Sequence, residues 1–181
     1  MALPRAVNEL RRECRFTADI CLLSGQGGMS MAEFSLQSSL PTSYHAALEK
    51  LVFFNARQAV AHEAIARAVD AYGAPSIVAT PDGLRVIVAR RDDVQCLFAL
   101  KMGGRTPQLA GIVMYLRTSP EEVTVLHVGV AECCSRGRRA GLEVVTALVR
   151  AVRVAAHRLR GVRRISMFYL QQREFSVDLH R

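Results

Sequence analysis

Val123-Thr-Val-Leu-His-Val-Gly-Val130 is followed, after a polar turn, by Ser135-Arg136-Gly137-Arg138-Arg139-Ala140-Gly141 and then by a long helical pattern. The first segment is short and rich in branched residues, the signature of a strand. From about Arg138 to Leu159 the residues Leu142, Val145, Leu148, Val149, Val152, Ala156 and Leu159 form one apolar stripe, with Arg150, Arg153 and His157 off it. Gly161 ends that helix, and Arg164–Leu170 reads as a further strand. Strand, helix, strand is a crossover unit. Val123–Val130 and Ile165–Leu170 are therefore expected to run parallel, with the helix packed across them.

Working outward, Pro41-Thr42-Ser43 offers capping side chains ahead of 44–72, where Leu48, Leu51, Val52, Ala59, Val60 and Ala64 recur at helical spacing. One helix, or two broken near Asn55, is expected there, ended by Gly73 and Pro75. From Ser76 the period becomes that of strands: Leu84–Arg90, Cys96–Lys101, Leu109–Leu116 and Val123–Val130, separated by Pro81-Asp82-Gly83, Arg91-Asp92-Asp93, Gly103-Gly104 and Thr118-Ser119-Pro120. Such short connections favour an antiparallel meander. Residues 1–40 lack sustained periodicity and contain the Ser24–Gly28 run just before Met29 and Met31. They read as a flexible arm, with Met29 or Met31 as a candidate native start. The expected architecture is one α/β domain over 41–181, with a mixed, mainly antiparallel sheet flanked by helices and one parallel strand–helix–strand unit.

Composition narrows the function. At 181 residues and 50% hydrophobic content the chain can bury one sizeable core. No apolar run approaches the roughly 18 residues of a membrane span, and Asp19 interrupts the short apolar patch that follows the N-terminal arginines, so no secretion signal is read. The 5 cysteines are odd in number and contain no C-x-x-C pair. Neither a disulfide framework nor a cysteine-based zinc site follows, and a reducing cytoplasm is expected. The formal net charge is +8, yet Lys occurs only at 50 and 101. Between Arg136 and Arg164 lie nine Arg against one acid, Glu143, which points to an anionic partner for that segment.

The chemistry follows from the turn. A small-residue turn opening a helix presents free N–H groups and a positive dipole end to an anion. Gly129, near the end of an otherwise branched strand, suggests a bulge or a close backbone approach. Together these residues resemble motif A of the GNAT superfamily of acyl-CoA-dependent N-acyltransferases, R/Q-x-x-G-x-G/A after a bulged strand. Arg136 matches the first position and Gly141 the last, while Arg139 stands where the middle glycine is usual. The upstream order of helices and then strands ending in Leu109–Leu116 also matches.

The resemblance implies that Arg136, Gly137, Arg138, Arg139, Ala140 and Gly141 hold the cofactor's pyrophosphate, and that Val128, Gly129 and Val130 flank the thioester of acetyl-CoA or another acyl-CoA. It implies acyl transfer to an amine acceptor. Glu132 is the best-placed carboxylate for taking the amine proton, and Tyr169 replaces the family's usual C-terminal tyrosine as donor to the thiolate. The family's further helix and hairpin are missing after Leu170, leaving a sheet edge that argues for a homodimer. The alternative is a non-catalytic GNAT-like module whose Arg-rich helix binds nucleic acid or an acidic protein, although no aromatic residue lies between Arg136 and Arg164 to stack on bases. His127 reads as a packing residue on the face of Val123 and Val125. Cys133-Cys134, close to Arg136, reads as a thiol pair whose pKa nearby cations can lower.

Deleting residues 1–28 is expected to leave a folded protein, because that arm has no periodic apolar face. A thermal melt of the shortened chain checks this, and a large loss of stability contradicts it.

Overall fold

The computed structural model describes residues 34–54, 62–135, 138–168 and 177–178. Strand β1 (Phe34–Gln37) leads through a 3-10 turn (Thr42–Tyr44) into helices α1 (His45–Phe53) and α2 (His62–Tyr72). A hairpin follows, β2 (Pro75–Thr80) and β3 (Gly83–Val88), and then β4 (Gln95–Lys101), β5 (Gln108–Ser119) and β6 (Glu122–Val130). The short helix α3 (Glu132–Ser135), the long α4 (Arg138–Arg158), β7 (Arg164–Met167) and β8 (Val177–Asp178) complete the order.

Six strands form one mixed sheet in the order β1-β4-β5-β6-β7-β8, mainly antiparallel. The parallel pair falls where the crossover pattern puts it, with Glu122 opposite Arg164 and Val125 opposite Met167. Every residue of β5 from Leu109 to Leu116 is buried, as expected of a central strand covered on both faces. Ile112, Met114 and Leu116 pack with Leu48, Leu51 and Val52 of α1 and with Leu84, Val86 and Val88 of the hairpin. On the opposite face Val113 and Tyr115 pack with Val144, Leu148 and Val152 of α4. Each such aliphatic side chain contributes about 1.5–3 kcal/mol when taken fully out of water.

Three expectations change. Residues 34–40 do not belong to a loose arm: Phe34–Gln37 pair with the edge of β4, and Leu40 is fully buried, bonded backbone to backbone with Leu84. The earlier residues, 1–33, lie outside the described part. The hairpin β2–β3 is a separate two-stranded sheet rather than part of one meander, because β1 already occupies the edge of β4. Cys96 Sγ donates to Val86 O at 3.4 Å, tying the hairpin to the main sheet. The β7 edge, expected to be open, carries β8 at Arg164 and Ile165, which removes the observation that argued for a dimer.

Local details also differ. Thr42 and Ser43 do not cap α1, which starts from a 3-10 turn with no side-chain cap bond. Tyr44 instead donates its hydroxyl to Pro107 O at 2.8 Å. Asn55, where the helical pattern was expected to break, lies outside the described residues, just past the end of α1. On α4, Leu148, Val152 and Ala156 are buried as the stripe predicts, but Val144 is buried with them and Leu142 is 64% exposed. Gly111 sets this phase: a Cβ there would stand 2.7 Å from Val144 Cγ1 and 3.2 Å from Leu148 Cδ1. The helix sits on bare backbone at that point.

Gly111→Ala is therefore expected to push α4 off the sheet and to cost about 1–3 kcal/mol, the range for overpacking a filled core. Chemical denaturation measures this; an unchanged midpoint contradicts the close seating.

Candidate functional site

Near its start, the β6–β7 pair is held by polar groups. Thr118 Oγ1 and Thr124 Oγ1 lie 2.8 Å apart, Thr124 Oγ1 and Ser166 Oγ 3.1 Å apart, and Arg164 donates to Glu122 at 2.8 Å. Burial opposes ionisation of Glu122, but hydrogen bonds from Ser166 and Arg164 hold its carboxyl below the usual value. Past Val125 and Met167 the parallel ladder ends. Among the described residues no strand accompanies β6 from Leu126 to Val130 on that side.

The ladder ends at a bulge. In the pairing of β5 with β6, Met114 faces His127 while Tyr115 faces Val125, so Leu126 is the extra residue. A bulge bends its strand and reverses the alternation beyond it. Val123 and Val125 pack toward α4, Leu126 packs toward α1, and Val128 and Val130 again pack toward α4. His127 therefore shares a face with Leu126 and not with Val123 and Val125, which corrects the expectation from strict alternation. The bulge lies at Leu126 and not at Gly129, whose glycine serves close approach. A Cβ at Gly129 would stand 3.1 Å from Ile112 Cγ2, 3.2 Å from His127 Nε2 and 3.4 Å from Leu51 Cδ1. The imidazole lies across the space that a side chain would fill.

Backbone direction beyond the bulge follows from one bond. Ala131 N–H donates to Ala110 O at 2.8 Å. Bonded and unbonded pairs alternate along an antiparallel ladder. Gly129 with Ile112 and His127 with Met114 thus bond across to β5, and the N–H and C=O groups of Val128 and Val130 point the other way, toward the side where β7 has ended.

Between this part of β6 and the helices opens a cleft lined by Val52, Ile65, Val69, Tyr72, Leu126 and His127, among others, with about 70 Å³ enclosed by its walls. Phe168, the residue after β7, packs edge-on against Tyr72 with ring centres 5.6 Å apart. The cleft and the end of the parallel ladder are therefore neighbours. Burial pushes the His127 pKa down to about 4, so its ring is neutral at physiological pH.

The expected site residues divide. Arg138, Arg139, Ala140 and Gly141 form the first turn of α4, where backbone N–H groups have no partner within the helix. Arg136, Gly137 and Tyr169 lie outside the described residues. Glu132 is exposed on α3 and pairs with Lys50 of α1 at 3.5 Å. Cys134 departs from expectation: burial pushes its thiol up to about 11, while Cys133 beside it is exposed, with the sulfurs 3.7 Å apart. Sequence reasoning missed His127 as a cleft residue, together with Ile65 and Val69. The signal was present in β6, where valines fall at 123 and 125 and then at 128 and 130, a change of phase that marks the bulge.

No family model matches the chain, and no curated protein matches it. Among the described residues no helix is long and apolar enough to cross a membrane.

Site-resolved alkylation at neutral pH is expected to modify Cys133 in the folded protein and to spare Cys134 and Cys96, the latter pushed up to about 12 by burial, until denaturant is added. Equal labelling of Cys133 and Cys134 in the native state contradicts this.

Proposed function

We propose that the protein binds an acyl-CoA between the distal half of β6 and the N-terminus of α4, and transfers its acyl group to an amine as a GNAT-like N-acyltransferase. The observation that carries the reading is the early end of the parallel ladder at Val125 and Met167, beside the Leu126 bulge. It leaves the backbone of Val128 turned toward the side where, in the family, the cofactor arm lies as a missing neighbour strand. The first turn of α4, Arg138 to Gly141, stands at the end of the same strand and offers backbone donors to phosphate.

In this reading the amine lone pair attacks the thioester carbonyl, the C–N bond forms and the C–S bond breaks. Glu132, or water beside it, takes the amine proton. Tyr169 supplies a proton to the departing thiolate, so the products are an amide and free CoA. The reading keeps the expected cytoplasmic setting, with Cys96, Cys133 and Cys134 as free thiols.

A thermal-shift titration with acetyl-CoA tests the binding. Occupancy at one hundred times the dissociation constant is expected to stabilise the fold by about 2.7 kcal/mol. Val128→Pro removes an N–H that faces away from β5, so the variant is expected to fold and to bind acetyl-CoA about tenfold more weakly. Arg150→Ala with Arg153→Ala, on the exposed face of α4, is expected to leave binding unchanged. No shift with acetyl-CoA, together with salt-sensitive binding of an RNA duplex lost in the Arg150 and Arg153 variant, sinks this reading in favour of a basic docking surface.

A further inference from the structure

A single turn of helix, α3, joins the end of β6 to the start of α4 and carries two consecutive cysteines. Cys134 N–H donates to Ala131 O at 3.0 Å, and Ala131 N–H donates to Ala110 O at 2.8 Å, so the turn is tied to β5. Cys134 is 5% exposed and packs into the core on the α4 face of the sheet, whereas Cys133 is exposed. Consecutive side chains on a helix ordinarily point apart, yet these two sulfurs stand 3.7 Å from each other. One thiol is open to solvent and its neighbour is covered.

That spacing suits a bridge through a third atom better than a direct bond. A disulfide brings its sulfurs to about 2.05 Å and usually holds its Cα atoms roughly 4.4–6.8 Å apart. Consecutive Cα atoms across a trans peptide are only about 3.8 Å apart, so a direct bridge would distort the turn. Two metal–sulfur bonds of about 2.3 Å meeting at a tetrahedral angle span about 3.8 Å between the sulfurs. The pair therefore already stands at the separation of two ligands on one soft centre.

We propose that Cys133 and Cys134 form a dithiol site for a soft, thiophilic metal or metalloid centre that takes two sulfurs from the protein and keeps its remaining ligands. The site does not depend on the acyl-transfer reading. Capture begins at the exposed sulfur. With an arylarsenous acid, the Cys133 sulfur forms the first As–S bond, one As–O bond breaks, and the hydroxide leaves with the thiol proton as water. Cys134 then forms the second As–S bond within the same complex, and a second water leaves. Arsenic stays trivalent, so nothing is oxidised or reduced. A divalent ion takes the same two sulfurs and releases their two protons to the buffer. Holding reacting groups together greatly raises their effective concentration. Cys134, whose thiol burial pushes up to about 11, therefore takes part in the second step although it resists reagents arriving from bulk solvent.

The test uses phenylarsine oxide and Cd2+ on the full chain carrying Cys14→Ser and Cys21→Ser, which leaves Cys96 as the thiol outside the pair. Phenylarsine oxide is expected to bind one to one and to place a phenylarsenic group, in exchange for two hydrogens, on the peptide that holds both cysteines. A dithiol is expected to remove it and a monothiol at the same concentration to leave it bound. Cys133→Ser and Cys134→Ala are each expected to weaken the arsenical by about a hundredfold or more, because one sulfur cannot close the ring; Cys96→Ala is expected to leave it unchanged. Cd2+ is expected to give a thiolate-to-metal absorption band that both pair variants lose. Thermal melts check that the variants fold, and Cys133→Ser, at an exposed position, keeps the test decisive if Cys134→Ala does not. Capture of the arsenical alone confines the site to metalloids, and capture of Cd2+ alone confines it to metal ions. Binding of neither probe, or binding unchanged by Cys133→Ser or by a folded Cys134→Ala, overturns the proposal.

Discussion

A parallel strand pair exists only where a covered crossover connects its members, and here that crossover is α4 seated on Gly111. The Cβ that Gly111 lacks would fall 2.7 Å from Val144 and 2.8 Å from the carbonyl of Gly129. Helix, β5 and β6 therefore meet closely at one point. With the helix fixed there, Val144, Leu148, Val152 and Ala156 fill the α4 face of the sheet, and Val162 and Ile165 bring β7 back alongside β6. The nearness of the α4 N-terminus to the distal end of β6 follows from the same contact.

The second constraint acts on β6 itself. Its lower half is bound to β7 through hydroxyls and an ion pair, and its upper half is displaced by one residue at Leu126. These features work together: the polar clamp fixes where the parallel ladder begins, and the bulge stands where it ends. The single extra residue also places His127 in an apolar cleft that strict alternation would have denied it. Burying an imidazole lowers its pKa, which makes the ring a neutral hydrogen-bonding group among hydrocarbons. Gly129 is the small residue that makes this placement sterically free.

Much of this was legible in the sequence, for identifiable reasons. The crossover, the parallel pair and the helix from Arg138 were readable because long apolar periodicity and an intervening helix leave few topologies. The strand β1 was not readable. Phe34–Gln37 is too short to show a period, and its place is fixed by the unpaired edge of β4. The hairpin's separation from the main sheet is a consequence of β1 and was hidden with it. The apolar stripe of α4 was read correctly at Leu148, Val152 and Ala156 and wrongly at its start, where Val144 and not Leu142 is inside, because the close seat at Gly111 is a tertiary contact on another strand. Within the site, the Arg-Gly-Arg-Arg turn was visible as a motif, whereas the cleft needed α2 and β6 brought together. The trace of the bulge, valines at 123 and 125 and then at 128 and 130, lay in plain view.

The charge of the chain is best interpreted through this geometry. Nine arginines fall between 136 and 164, and the described stretch distributes its positions along α4 and the turn that follows it. Arg138 and Arg139 stand in the first turn, where the helix dipole and the backbone donors add to any positive charge. Arg150, Arg153 and His157 are exposed further along, where a side chain's charge is screened within about 10 Å at ordinary ionic strength. Arg164 is occupied by Glu122, and Arg117 donates to the carbonyl of Arg160 at 2.9 Å, so the far end of the helix is engaged in holding the turn before β7. On the proposed acyl-CoA reading, phosphate at the first turn of α4 meets backbone donors and the positive end of the helix dipole, which the exposed face of the helix does not offer.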